Sequence, residues 1–293
     1  MASRRASDDA EPSLERRLSA SGHLARLEES RGQHGAWTLY VDGTPQSHVD
    51  LEHPEWLGFE YVRRIGHAVD LVRPEGEAIT ALHLGGGALT LPRYVLATRP
   101  GSRQQVVELE SELVELVREV LPLPKGAQLR VRHGDAREVL AKLPAGLDGA
   151  VDLAVVDIFS GARTPAHVTS AEFYGLLQPR MAPGGIVAVN VADGAGLAFA
   201  RSQAATLAHV FGHVAIAADP SMLKGRRFGN VVMYASDAEL PFAQLPRRLA
   251  SDPAPAKLVE AEELAHFIAG APVVTDATAV PSPPPARSVF LAR

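Results

Sequence analysis

The chain has no cysteine among its 293 residues. That absence excludes disulfide staples, thiolate nucleophiles and cysteine-ligated metal sites. No apolar run approaches the roughly 18 residues a membrane-spanning helix requires. The opening stretch MASRRASDDAEPSLERRLSASG has an arginine pair but no apolar core behind it. It therefore does not read as a secretory signal, and a cytoplasmic location is expected. A basic excess is also missing. The 34 acids outnumber the 29 bases, for a net charge of −5, which argues against a nucleic-acid partner. The 11 histidines do not cluster at metal-ligand spacing, and His209 and His213, four apart, lack a third ligand, so no metal is expected. Ser160-Gly161 lacks the nucleophile-elbow pattern of serine hydrolases.

What is present is an ordinary soluble composition, 46% hydrophobic and 22% charged, arranged in a regular alternation. AITALHLGGGALTLPRYVLAT reads as an apolar strand, a glycine turn (Gly85, Gly86, Gly87) and a helix. QQVVELE follows as a second strand ending at Glu108, and HGDA and LAVVD continue the series to Asp135 and Asp157. Strands are expected near residues 79–84, 105–108, 129–133, 153–156, 185–191, 213–217 and 231–236, with helices between them. Such alternation implies a mostly parallel sheet covered on both faces. Ligands in such sheets sit beyond the carboxyl ends of the strands, where Gly85, Glu108, Asp135 and Asp157 all fall.

Four units are expected along the chain. Residues 1–35 read as a polar tail, disordered or with a short helix over 14–27. Residues 36–72 read as a small β-hairpin, turning at Asp42-Gly43, plus a helix whose apolar positions Leu57, Tyr61, Ile65, Val69 and Val72 recur at helical spacing. Residues 73–240 form the α/β domain. Residues 241–293 carry one more helix and a proline-rich terminus expected to be extended and mobile.

The residue types at the sheet's carboxyl edge point to a nucleoside-bearing ligand. A glycine turn between strand and helix lets backbone donors approach a ligand closely. An acid about 20 residues later, at the next strand end, suits a ribose diol, because a carboxylate accepts two hydrogen bonds side by side. Glu108 takes that role, and Glu110 is assigned mainly to capping the following helix. Asp135 opens a helix as an N-cap, compatible with neighbouring backbone touching an adenine. Asp157 ends a buried strand, where a carboxylate is costly unless it serves something. The long loop after it is placed to cover a substrate. Asp157 is the candidate catalytic base or cation partner.

In order, VDGTPQ, HLGGGALTLPRYV, VVELE, HGDAREVL, DLAVVD and SAEFYGLLQPRMAPGGIVAVN resemble the polyamine aminopropyltransferase (spermidine synthase) family over about residues 36–236. The resemblance implies a Rossmann-like, class I methyltransferase-type domain behind a small N-terminal β domain, usually in homodimers. It implies transfer of an aminopropyl group from decarboxylated S-adenosylmethionine to an amine such as putrescine, without metal. On this resemblance Gln46 matches a glutamine contacting the cofactor. Gly85, Gly86, Gly87 and Glu108 match the cofactor turn and the ribose acid, Asp135 and Ala136 the adenine-side pair, and Asp157 the catalytic aspartate, which also holds the amine. Three positions depart from the pattern. Ala88 stands where the family usually has an aspartate facing the donor's ammonium. Ser160 stands where a second aspartate holds the diamine. Phe59-Glu60 falls at the Tyr-Gln or Tyr-His pair, making Glu60 a gained acid assigned to the substrate.

Two other classes compete with an aminopropyltransferase: a methyltransferase using intact S-adenosylmethionine, motivated by Ala88, and a non-catalytic nucleoside-binding paralogue, motivated by the two replaced acids. A nicotinamide dehydrogenase is disfavoured because GGGALT lacks the last glycine of G-x-G-x-x-G.

Overall fold

The structure, a computed structural model, describes residues 14–284. Its N-terminal part is a four-stranded antiparallel sheet in the order β1 (Glu15–Arg17), β2 (Leu24–Glu29), β3 (Ala36–Val41) and β4 (Thr44–Asp50). The Asp42-Gly43 turn between β3 and β4 has both residues at positive φ, 47° and 76°, the primed-turn geometry that matches strand twist. The helix expected over 14–27 is instead a hairpin of β1 and β2. Alternation explains the difference: Ala25 and Leu27 are fully buried while their neighbours face outward, the period of a strand and not of a helix. The sheet thus begins ahead of the expected boundary at 36. Residues 1–13 of the expected tail lie outside the described residues.

Helix α1 (Glu60–Leu71) leads into the larger sheet. The chain then runs β5 (Thr80–Leu84), α2 (Thr90–Thr98), β6 (Arg103–Glu108), α3 (Ser111–Val120), β7 (Leu129–His133), α4 (Ala136–Ala141) and β8 (Val151–Val156). It continues with α5 (Ala171–Leu177), β9 (Met181–Asp193), α6 (Ala198–Val210), β10 (His213–Ala218), α7 (Pro220–Leu223) and β11 (Gly229–Ser236). It closes with α8 (Leu245–Ser251), β12 (Lys257–Val259) and α9 (Ala261–Ile268). The strand order is β12-β10-β11-β9-β8-β5-β6-β7. β5 through β9 pair in parallel, while β10, β11 and β12 are antiparallel. The order reverses between β5 and β8, which is where an open α/β sheet leaves a ligand crevice.

Near-continuous apolar runs such as LAVV in β8 make strands buried on both faces. One face packs on α4, α5 and α6 through Leu140, Phe173 and Leu207. The other packs on α1, α2 and α8 through Ile65, Tyr94 and Leu245. The N-terminal sheet makes its own core against α3, with Leu27 and Leu39 against Leu113 and Leu116. This packing sets the small sheet over the carboxyl ends of β5 and β6. No helix among the described residues is long and apolar enough to cross a membrane.

Two C-terminal expectations change. The single helix expected over LVEAEELAHFIAG is a short edge strand, β12, followed by α9. Ser282, assigned to a mobile terminus, is fully buried; residues 285–293 lie outside the described residues.

Candidate active site

The carboxyl ends of β5, β6 and β8, the start of α4 and the N-terminal sheet enclose one cleft. Gly85, Gly86, Gly87, Gln46, Glu108, Asp135, Ala136 and Asp157 all line it. Gly85 leaves β5 at φ 99°, and a Cβ there would lie 2.1 Å from the carbonyl oxygen of Asp157. Only glycine lets the turn pass this close to the end of β8.

Glu108 faces the turn. Its Oε2 accepts from the backbone N–H of Gly86 (2.8 Å) and its Oε1 from that of Glu110 (3.0 Å). The carboxylate is thus held in place with lone pairs left for the cleft. Glu110 stands at the N-cap position of α3, yet its side chain caps nothing. Its oxygens accept from the backbone N–H groups of Ala20 (3.0 Å) and Ser21 (2.8 Å). The acid assigned to capping therefore clamps the β1–β2 turn onto the cleft rim, a role hidden from a reading that left 1–35 as a tail.

Asp135 caps α4, accepting from Arg137 N (3.0 Å) and Glu138 N (3.1 Å), while its Oδ2 meets His167 Nε2 at 2.7 Å. Burial pushes this carboxyl up, but the Glu138 N–H, His167 and the Arg137 N–H outweigh it and hold it below the ordinary value. Cap and cleft wall are one residue here.

Asp157 is in a different setting. Its Oδ1 accepts from Asn190 Nδ2 (2.8 Å), and the Tyr61 hydroxyl also hydrogen-bonds to it. Burial raises its pKa, and these two neutral donors only partly hold it down. Asn190 is fixed in turn, its Oδ1 accepting from Asn230 Nδ2 (2.9 Å). The Tyr61 hydroxyl lies 3.5 Å from the carbonyl oxygen of Gln46. Burial and the Asp157 carboxylate keep that phenol protonated, far above its ordinary range. A half-buried, desolvated carboxylate with neutral donors and an open cleft in front of it is arranged to take up a proton or a cation.

Tyr61 and Asn190 were both missed as site residues. In the sequence Tyr61 reads only as an apolar helix position, and the resemblance aligns the family's aromatic with Phe59. The asparagine in the apolar strand GGIVAVNVAD was the available signal for Asn190, since a buried polar side chain in a central strand requires a partner.

Glu60 is not brought to the cleft. Its carboxylate pairs with Arg64 (3.0 Å) and Arg227 (3.1 Å). The Arg64 side chain is almost completely buried, and a buried guanidinium requires a counter-charge. Ala88 is buried among the apolar side chains beneath the N-terminal sheet, and Ser160 sits in a turn bridged to Arg163. Both departures therefore place no charge near Asp157. Among the described residues no group of three or more His, Asp or Glu could hold a metal ion.

A glycine bend, an acid at the end of the next strand and an N-capped α4 around the switch point of a mostly parallel sheet define a Rossmann-like domain of the class I methyltransferase type. No family model matches the sequence. The chain is similar to a solved structure of a probable spermidine synthase from Corynebacterium glutamicum, with 34% identity, a TM-score of 0.79, and coverage of 86% of this chain and 93% of that one. It is 36% identical over 145 residues to polyamine aminopropyltransferase 2 of Pseudomonas aeruginosa, a match covering 45% of this chain and 40% of that protein. The match therefore spans less than half the length of this curated relative. The spermidine synthase of Thermotoga maritima shares the fold, with a TM-score of 0.57 at 15% identity over 80% of this chain and 76% of that one. The chain belongs to the spermidine synthase (polyamine aminopropyltransferase) family.

Proposed function

We propose that this protein transfers an aminopropyl group from decarboxylated S-adenosylmethionine to a primary amine, putrescine being the acceptor that the family resemblance implies. The observation that carries this reading is Asp157: a half-buried carboxylate held, among the described residues, by neutral donors, beside the glycine bend, its pKa raised by desolvation. Glu108 holds the ribose hydroxyls, the Gly85, Gly86 and Gly87 turn admits the nucleoside, Asp135 and Ala136 border the adenine, and Gln46 contacts the nucleoside from the N-terminal sheet.

The reaction is an in-line displacement at carbon. The amine nitrogen forms the new C–N bond as the C–S bond breaks, the electron pair goes to sulfur, and neutral methylthioadenosine leaves. The attacking amine must be unprotonated. Asp157 accepts its proton, and Tyr61 and Asn190 keep the carboxylate aimed at the nitrogen. Among the described residues no cationic side chain pairs with Asp157, so an incoming ammonium supplies the missing charge. The same reading has the protein working in the cytoplasm as a homodimer on a small-molecule amine, without nucleic acid or membrane; the net charge of −5 supports the absence of a nucleic-acid partner.

The test is incubation of the purified protein with decarboxylated S-adenosylmethionine and a panel of amines. Methylthioadenosine release that is lost in Asp157→Asn supports the reading; no release with any amine rejects it. A methyltransferase using intact S-adenosylmethionine is the second reading, favoured by the uncharged, buried Ala88. Calorimetry separates the two, since much tighter binding of the decarboxylated donor counts against methyl transfer.

A further inference from the structure

After α9 the chain turns back toward the cleft, crosses two helices at Val274 and is then fastened to the cleft walls at Asp276 and Ser282. It first crosses α5 and α6, where Val274 O accepts from Ala171 N (2.8 Å) and Val274 N donates to Thr206 Oγ1 (2.9 Å). Asp276 then receives both ends of the Arg137 guanidinium, at 2.7 and 2.6 Å, and a hydrogen bond from Ser170 Oγ at 2.5 Å. Arg137 and Ser170 together hold the Asp276 carboxyl down at about 2. Further on, Ser282 is fully buried. Its N–H donates to Thr164 O (3.0 Å), its Oγ accepts from Thr164 N (2.9 Å), and its carbonyl accepts from Arg163 Nε (2.5 Å).

The Asp276 and Ser282 fastenings end on different walls of the cleft. Arg137 follows Ala136 and also donates to the carbonyl of His167 (3.0 Å), whose ring holds Asp135. That is the wall assigned to the adenine. Arg163 and Thr164 close the turn that carries Ser160, with Ser160 N donating to Arg163 O (2.8 Å). Phe159, Ser160 and Gly161 of that turn line the cleft beside Asp157. A terminal segment that merely drifted over the surface would not bury a serine completely or hold an arginine at two points.

We propose that Asp276 and Ser282 are positioning residues for the two halves of the active site. Asp276 sets the Asp135–His167 wall through Arg137, and Ser282 sets the Phe159, Ser160 and Gly161 turn through Thr164. The inference rests on the function proposed above for what occupies each half. It gives the C-terminal strap separate control of donor and acceptor binding.

The test compares full-length Asp276→Ala and Ser282→Ala with the parent protein. The readouts are methylthioadenosine affinity by calorimetry, hydrogen exchange across residues 158–165, and the amine KM. For Asp276→Ala, methylthioadenosine binding weakens about 3- to 30-fold with exchange over 158–165 unchanged. For Ser282→Ala, nucleoside affinity holds within about twofold, exchange over 158–165 speeds up about tenfold or more, and the amine KM rises more than kcat falls. Asp276→Glu, which keeps the charge, recovers most of the nucleoside affinity.

Equal losses in both variants that only track Tm overturn the proposal. So do unchanged affinity in Asp276→Ala and unchanged exchange in Ser282→Ala. The split in binding and exchange between the two variants, in a protein whose parent turns over no amine, rejects aminopropyl transfer and supports the positioning roles. A parent protein that binds no methylthioadenosine rejects both.

Discussion

The two halves of the cleft treat their acids in opposite ways. On the side proposed for the nucleoside, the three acids Glu108, Glu110 and Asp135 already work for the fold. Glu108 binds the glycine turn, Glu110 clamps Ala20 and Ser21, and Asp135 caps α4 and meets His167. On the amine side Asp157 has only two neutral donors, and burial raises its pKa. The contrast separates holding from reacting. An acid satisfied by backbone N–H groups is fixed in place, whereas one desolvated beside neutral donors takes up a proton more readily than an ordinary carboxylate.

The sharpest way to break this contrast is Asp157→Asn. Turnover is expected to fall about 10²- to 10⁴-fold, with methylthioadenosine affinity unchanged by calorimetry. The same variant is expected to raise Tm at neutral pH by a few degrees. The folded-state pKa of Asp157 lies above its unfolded value of 3.8. Its favourable contribution is therefore complete below that value and is lost as pH rises through the raised one; an uncharged amide avoids the loss. Gly85→Ala is the next largest effect and strikes both halves at once. The new Cβ meets the Asp157 carbonyl at 2.1 Å in a left-handed backbone, at a cost of about 2–4 kcal/mol, measurable by denaturant unfolding.

Glu108→Gln sharpens the contrast from the nucleoside side. Affinity for methylthioadenosine is expected to drop about 10- to 100-fold, while the pH dependence of turnover stays where it was. Tyr61→Phe is the smallest and most selective change. The acid limb of the pH–rate profile, already above 3.8 in the parent, moves further up, because the hydroxyl that helps hold the Asp157 carboxyl down is gone. Nucleoside affinity stays the same. A Tyr61→Phe profile superimposing on the parent's removes Tyr61 from the account.

The α/β domain was legible because its signals are local. Apolar runs ending at Gly85, Glu108, His133 and Val156 mark strand ends, and those ends carry the site. The N-terminal hairpin was not legible, since charged residues interrupt Leu18, Ala25 and Leu27 and the burial that orders them comes from α3, far along the chain. Distance in sequence also hid the partners of the site. Nothing near Glu110 announces Ala20 and Ser21, nothing near Thr164 announces Ser282, and of the two partners of Glu60 only Arg64, one helical turn on, lies near it in sequence, Arg227 being far downstream. Gln46 and Asp135 were placed by motif, while Tyr61 and Asn190 required the packing of α1 and β9 against the end of β8.

The most direct measurement is a crystal structure of the protein with methylthioadenosine and an amine bound together. The account predicts the ribose hydroxyls on Glu108 and the amine nitrogen within hydrogen-bonding distance of an Asp157 oxygen, on the side of the carboxylate facing the glycine bend. A nucleoside seated elsewhere, or an amine nitrogen bound away from Asp157 with that carboxylate still enclosed by Tyr61 and Asn190, would contradict it.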